Sequence, residues 1–359
     1  IPTGSLEKTL LVGDFLFVSK FHYGARTPMT TIAAPMVHDT LPVINTKSYL
    51  NKPQLPYFRL PGFQKIKRND IVVFSWPADT VHRFHVSQKG VRKPIDKKSN
   101  YVKRCVGLPG DTLSIVDGYV HINGKQTVLP SRAKPMYFHA VTTKDAMDNA
   151  TIRLLGRKNR IPYSSVRIPL ETFKKDKVDE LITKYKKSNH LSLNEISRDS
   201  TYIYYMGGVS QKAQGVINYL QLEYVNNISF FNLTEDEAKA AVKSSKITAI
   251  KRFRYAEPTT DNFPQDANHM GTVDNFPAFY IPQKGSTIQL NAKNLPLYKK
   301  VLKEYEGNKV SQNGNQISIN GEVVNSYTFK QDYYWMMGDN RHSSEDSRAW
   351  GFVPENHIV

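Results

Sequence analysis

Tyr101-Val102-Lys103-Arg104-Cys105-Val106-Gly107-Leu108-Pro109-Gly110-Asp111 is the stretch on which the reading of this chain turns. An apolar, aromatic strand-like run carries two cations and ends in a tight Gly-Leu-Pro-Gly turn. A lysine in such a run is ordinarily a strand residue whose stem lies on apolar surface while its amine reaches water. It serves as a base only when neutral. That requires its pKa to fall by about 2–3 units, or roughly 3–4 kcal/mol, which burial in a low dielectric can supply. The residues alone leave both readings of Lys103 open.

On either side the texture is β-rich. Asp70 to Trp76 and Val12 to Lys20 are rich in β-branched and aromatic residues bounded by turn formers, and are expected to be strands. Between them, Thr27 to Pro61 is irregular and proline-bearing. Leu113 to Gln126 predicts a hairpin turning at Asp117-Gly118, with a second turn at Asn123-Gly124. A similar pattern from Val310 to Gly321 reads as an independent hairpin. Between these hairpins the spacing becomes helical over Glu171 to Lys187, and Thr234-Glu235-Asp236-Glu237 predicts a capping box opening a short helix to about Ser244. Leu295 to Glu306 is a third helical candidate. The expected architecture is mainly β, with a β domain over 1–126 and 310–359 and an α+β insertion over 127–309.

A chain of 359 residues exceeds what one core usually organises. Its 40% apolar and 11% aromatic content builds real cores, and a mean hydropathy of −0.48 fits a water-facing molecule. The net charge of +17 suits an anionic membrane surface, nucleic acid or acidic partners. Nucleic acid would rest on charge alone and is not expected. The lone Cys105 excludes an intrachain disulfide framework and a multi-thiolate metal site. Neither an H-E-x-x-H pattern nor a P-loop occurs, so no metal or other cofactor is expected. No run approaches the ~18 apolar residues that span a bilayer. The sequence starts at Ile1-Pro2-Thr3-Gly4 and ends at His357-Ile358-Val359 with no initiator Met, and we expect a fragment whose membrane anchor lies outside it.

Two further stretches carry chemistry. Ile1 to Leu10 places Ser5 after Gly4, where its hydroxyl is little obstructed; alone, this reads as an ordinary turn serine. Ser5-Leu6-Glu7-Lys8 also spells S-x-x-K, but that motif needs a helix to bring its Lys over the Ser. The residues here alternate like a strand, and no K-T-G or S-D-N partner occurs. The other stretch, Trp335 to Pro354, holds Asp339, Arg341, Ser344, Glu345, Asp346 and Arg348 in one loop between apolar segments. It reads equally as an ion-pair corner or as the wall of an active site.

These stretches, in this order, resemble the boxes of bacterial type I signal peptidases. That family carries a Ser-Met-x-Pro-Thr-Leu box, an Arg-Gly-Asp-Val-Val-Val-Phe strand, a Lys-Arg-x-Val-Gly-Leu-Pro-Gly-Asp box and a Gly-Asp-Asn-Arg-x-x-Ser-x-Asp-Ser-Arg-x-Trp-Gly box. This chain supplies Ser5 to Leu10, Arg68 to Phe74, Lys103 to Asp111 and Gly338 to Gly351. The boxes cover about a fifth of the chain. It departs from them at Leu6 (usually Met), Lys8 (usually Pro), Asn69 (usually Gly) and His342 (commonly Asp).

The resemblance implies a membrane-associated serine endopeptidase that removes signal peptides from secreted preproteins after Ala-x-Ala-type sites. Ser5 is then the nucleophile and neutral Lys103 the general base. The backbone N–H of Ser5 and the hydroxyl of Thr3 form the oxyanion hole, and Ser344 orients the lysine amine. Shallow pockets from Ile1, Pro2, Leu6, Tyr101 and Val102 admit only small side chains. Arg104, Asp339, Arg341, Asp346 and Arg348 form structural ion pairs, Arg104 with Asp339 among them. The implied partners are preproteins and an anionic bilayer surface, on the outer side of the bacterial inner membrane. Two other readings compete. A self-cleaving repressor would need a DNA-binding module and an Ala-Gly cleavage site, and neither is visible. A catalytically inactive homologue serving as an export-site binding module is disfavoured by the intact Ser5, Lys103 and Ser344.

Overall fold

The computed structural model describes residues 3–35, 37, 41, 44, 46–78, 93–171, 175–187, 191–210, 213–255, 258–269 and 271–359. Strands outweigh helices, and the chain is mainly β. It divides into two compact units, one of residues 1–133 and 257–359, the other of residues 134–256.

The first unit is built around a four-stranded antiparallel sheet of β1 (Ile71–Ser75), β2 (Asn100–Gly107), β3 (Tyr333–Met337) and β4 (Val353–Pro354), in that spatial order. All five residues of β3 are buried, as its unbroken apolar run requires of a strand covered on both faces. Successive side chains point to opposite faces. Tyr333, Trp335 and Met337 enter one core, while Tyr334 and Met336 join Val72, Phe74, Cys105 and Trp350 in another. The first core is aromatic, with the rings of Phe279, Phe263 and Phe352 centred 4.5, 5.5 and 5.6 Å from that of Trp335. Phe263, Phe276 and Phe279 come from the stretch 257–309, which the hydropathy pattern grouped with the insertion. Their packing on Trp335 gathers that stretch into the first unit.

Local turn chemistry accounts for the hairpins. Asp117 and Gly118 lie at φ 53° and 76° between the strands Thr112–Val116 and Tyr119–Ile122, the left-handed pair that a two-residue turn demands. Asn123 and Gly124, at φ 51° and 79°, repeat the device before Lys125–Gln126. Asn69 lies at φ 74°, a region that Asn enters more readily than most side-chain-bearing residues, so it fills a position well suited to Gly. Gly107, the last residue of β2, is packed too closely for a side chain: a Cβ there would fall 2.3 Å from Ile281 Cδ1 and 3.0 Å from Trp335 Cβ. Its turn is closed by Asp111, which accepts from Leu108 N at 2.6 Å and from Arg68 Nη1 at 2.8 Å.

One expectation fails. Residues 12–20 form no strand: Val12, Phe15 and Phe17 are 64%, 89% and 104% exposed. Apolar alternation marks a strand only where a neighbour takes up its backbone hydrogen bonds, and no strand pairs with this segment among the described residues.

The second unit holds two antiparallel sheets. One orders Glu223–Tyr224, Ser164–Pro169, Tyr202–Val209 and Leu191–Arg198; the other orders Ile247–Arg252, Met136–Thr143, Ile228–Thr234 and Arg160–Ile161. The helix Lys175–Lys187 buries Val178, Leu181 and Ile182 on the first sheet; Phe173, read as part of its apolar face, lies outside the described residues. Thr234 and Glu237 form the reciprocal capping box that opens the helix Glu235–Ala241. No helix among the described residues is long and apolar enough to cross a membrane.

Candidate active site

Ser5 lies in a single 3₁₀ turn, Gly4–Leu6, and is 6% exposed. The loop after β3 holds it by its backbone: Asn340 N donates to Ser5 O and Asn340 Nδ2 to Gly4 O, both at 3.0 Å. Thr3 Oγ1 donates to Ser5 Oγ at 3.2 Å. Lys8 lies at φ 71°, a conformation closed to proline, so the backbone after Ser5 differs locally from that of a Pro-bearing relative.

Lys103 sits on β2 with 3% of its surface exposed. Val72 is its partner on β1. On the other side Arg104 pairs with Met337, so the next step of the register brings Lys103 level with Gly338. Its Nζ lies 5.7 Å from the centre of the Tyr101 ring. Burial pulls the amine's pKa from 10.5 down to about 8; Asp346 and Glu345 act upward and Arg348 downward. Among the described residues no hydrogen bond joins Lys103 to Ser5. Both line one cavity of about 440 Å³, with Thr3, Leu6, Leu10, Asn100, Tyr101, Val102, Ser343 and Glu345. Ile1 and Pro2, read as pocket residues, lie outside the described residues.

Ser344 Oγ is buried and has no hydrogen-bond partner among the described residues. It rests over Gly338, where a Cβ would come within 2.2 Å of that oxygen and 2.6 Å of Ser5 O. Only glycine leaves room for both.

The charges around the loop pair off among the described residues, except Arg341 and Glu345. Arg104 grips Asp339 through two bonds, Nε–Oδ1 at 2.8 Å and Nη2–Oδ2 at 2.6 Å, and Asp339 also accepts from Thr9 Oγ1 at 3.0 Å. Asp346 accepts from Arg348 Nε and Nη2 at 2.9 and 2.8 Å and from Gly338 N at 3.0 Å. Burial pushes the Asp346 carboxyl up, but the Arg348 charge and these bonds outweigh it and hold it below the usual range. Arg341 forms no ion pair among the described residues; its Nη1 lies 3.9 Å from Met337 Sδ, and its carbonyl accepts from Arg348 Nη2 at 2.7 Å. His342 pairs with Asp274 through a 2.8 Å contact with both side chains 0% exposed. Asp274, Asn340 and Glu345 escaped the sequence reading as site residues. Asn340 stood inside a recognised box, whereas nothing local marks Asp274, 68 positions from its partner.

A hydroxyl and a buried amine of lowered pKa open on one cavity, the two kinds of group that nucleophilic catalysis with a general base requires. The family model of signal peptidases, peptidase S26, matches residues 1–168 and 276–359, and the chain belongs to that family. Over its full length it is 35% identical to the signal peptidase I of Buchnera aphidicola, covering 64% of that protein. It is 28% identical over 126 residues to the signal peptidases I of Rickettsia typhi and Rickettsia massiliae, a match covering 35% of this chain and 34% of each relative. The chain therefore spans less than two thirds of the curated relatives it matches.

Proposed function

We propose that this chain is the catalytic part of an endopeptidase that removes signal peptides from secreted preproteins, cutting after small residues in Ala-x-Ala-type sites. The observation that carries the reading is the convergence of Ser5 and a 3%-exposed Lys103 on one cavity. Ser5 Oγ attacks the scissile carbonyl while neutral Lys103 Nζ takes its proton, then returns it to the leaving amine. The Ser5 N–H and the Thr3 hydroxyl stabilise the oxyanion, Thr3 giving up its bond to Ser5 Oγ as substrate arrives. Catalytic hydrogen bonds are often long before substrate binds, and here the acyl chain draws hydroxyl and amine together. The unpartnered Ser344 Oγ, which rests over Gly338, then accepts from the amine and aims its lone pair at Ser5. Leu6, Tyr101 and Val102 line the cavity and exclude large side chains; Ile1 and Pro2 are assigned to the same pockets from the family resemblance.

The substrate reaches the site at an anionic bilayer surface on the outer side of the inner membrane, and the net charge of +17 favours that surface. Residues 134–256 are inserted in sequence between the two stretches of the catalytic unit. The test is cleavage of an Ala-x-Ala preprotein in lipid by wild type, Ser5→Ala and Lys103→Met. Wild type is expected to cleave with a rate that rises with pH through about 8, where Lys103 becomes neutral. Both variants are expected to lose activity, Lys103→Met by about 10²–10⁴-fold. Cleavage retained by both would remove the dyad.

A further inference from the structure

Two adjacent carboxylates meet different fates in the loop that carries Ser344. Asp346 is 1% exposed and satisfied by Arg348 and the Gly338 N–H. Glu345 is exposed, lines the cavity that holds Ser5 and Lys103, and has neither an ion pair nor a hydrogen bond among the described residues. The other described lining residues are neutral apart from Lys103, whose amine must itself be uncharged to act as a base. Until Lys103 takes up a proton, the described lining therefore carries one charge, and it is negative, on a chain whose net charge is +17. Exposed in water, this carboxylate is tied to no partner among the described residues. What it faces is the space a bound peptide fills.

Resting on the peptidase reading above, we propose that Glu345 is a specificity residue: it favours substrates with a Lys or Arg close to the scissile bond and disfavours those with an acidic residue there. The pair forms at a solvent-exposed rim, so its effect is modest, about 2–5-fold in kcat/KM, and shrinks with added salt.

The experiment places Lys, Ala or Glu in turn at each of the three positions on either side of the cleavage site in an Ala-x-Ala peptide. kcat/KM is measured for wild type, Glu345→Gln and Glu345→Lys, and binding of the same peptides is measured with the Ser5→Ala chain. At one position or more, wild type should prefer Lys to Glu, Glu345→Gln should level the preference and Glu345→Lys should invert it. The Ser5→Ala chain should bind the Lys peptide more tightly than the Glu peptide at that position. Failure of wild type to cleave the all-neutral peptide would count against the peptidase reading. Cleavage of the neutral peptide with the same Lys-to-Glu ratio in wild type and Glu345→Lys at every position would overturn this proposal alone. Equal binding of all peptides by the Ser5→Ala chain would overturn it as well.

Discussion

Lys103 and Arg104 are successive residues of one strand, each with 3% of its surface exposed. On one side of the strand Arg104 meets Asp339 in a two-pronged pair that Thr9 completes. On the other, Lys103 meets an aromatic ring and a cavity, with carboxylates close enough to be felt but none in hydrogen-bond contact. A buried cation is costly unless it is paired or can shed its proton. The guanidinium cannot lose its charge and is given a partner; the amine can, and is given none. The lesson is that the environment of each face, rather than depth of burial, separates a cation held charged from one whose pKa falls.

The largest effect on stability should come from undoing the paired side. Asp339→Ala strands the Arg104 charge, and urea unfolding should show a loss of about 3–5 kcal/mol. A loss under about 1 kcal/mol would mean that Arg104 reaches water and that the two faces do not differ as described. The unpaired side should respond in the opposite sense. Lys103→Met removes an amine that burial penalises, so at pH 7 the variant should be more stable than wild type by about 1–3 kcal/mol while losing activity. The folded pKa of about 8 lies below the ordinary 10.5. The penalty is therefore fully present below pH 8 and fades as pH rises towards 10.5, and the stability gain of the variant should fade with it. A Lys103→Met chain less stable than wild type at pH 7 would show that the amine makes bonds worth more than its burial costs.

What could be read in advance followed the range of the interactions. Asp117-Gly118, Asn123-Gly124 and the Thr234–Glu237 box act within a few residues, and the expected turns and cap are formed. Ser5 and Lys103 are singled out not by their residues alone but by the resemblance of the short runs that hold them to the family's boxes. Their shared cavity depends on Asn340 holding the Ser5 backbone and on Gly338 leaving room for Ser344, contacts across more than 330 positions on the Ser5 side. Shorter but still non-local separations hid Asp274 as the partner of His342, 68 positions away, and Phe263 as a neighbour of Trp335. Residues 12–20 misled for a related reason: alternation is local, but a strand exists only when a neighbour pairs with it. Arg341 stood among carboxylates in the sequence, yet Arg348 occupies Asp346 and Arg104 occupies Asp339.

The most direct measurement is the titration of Lys103 itself, followed by NMR of the amine-bearing carbon in the chain with selectively labelled lysine and assigned by its loss in Lys103→Met. One lysine signal should move with a midpoint near pH 8 while the exposed lysines titrate near 10.5. A Lys103 signal that titrates with the exposed lysines would contradict the account.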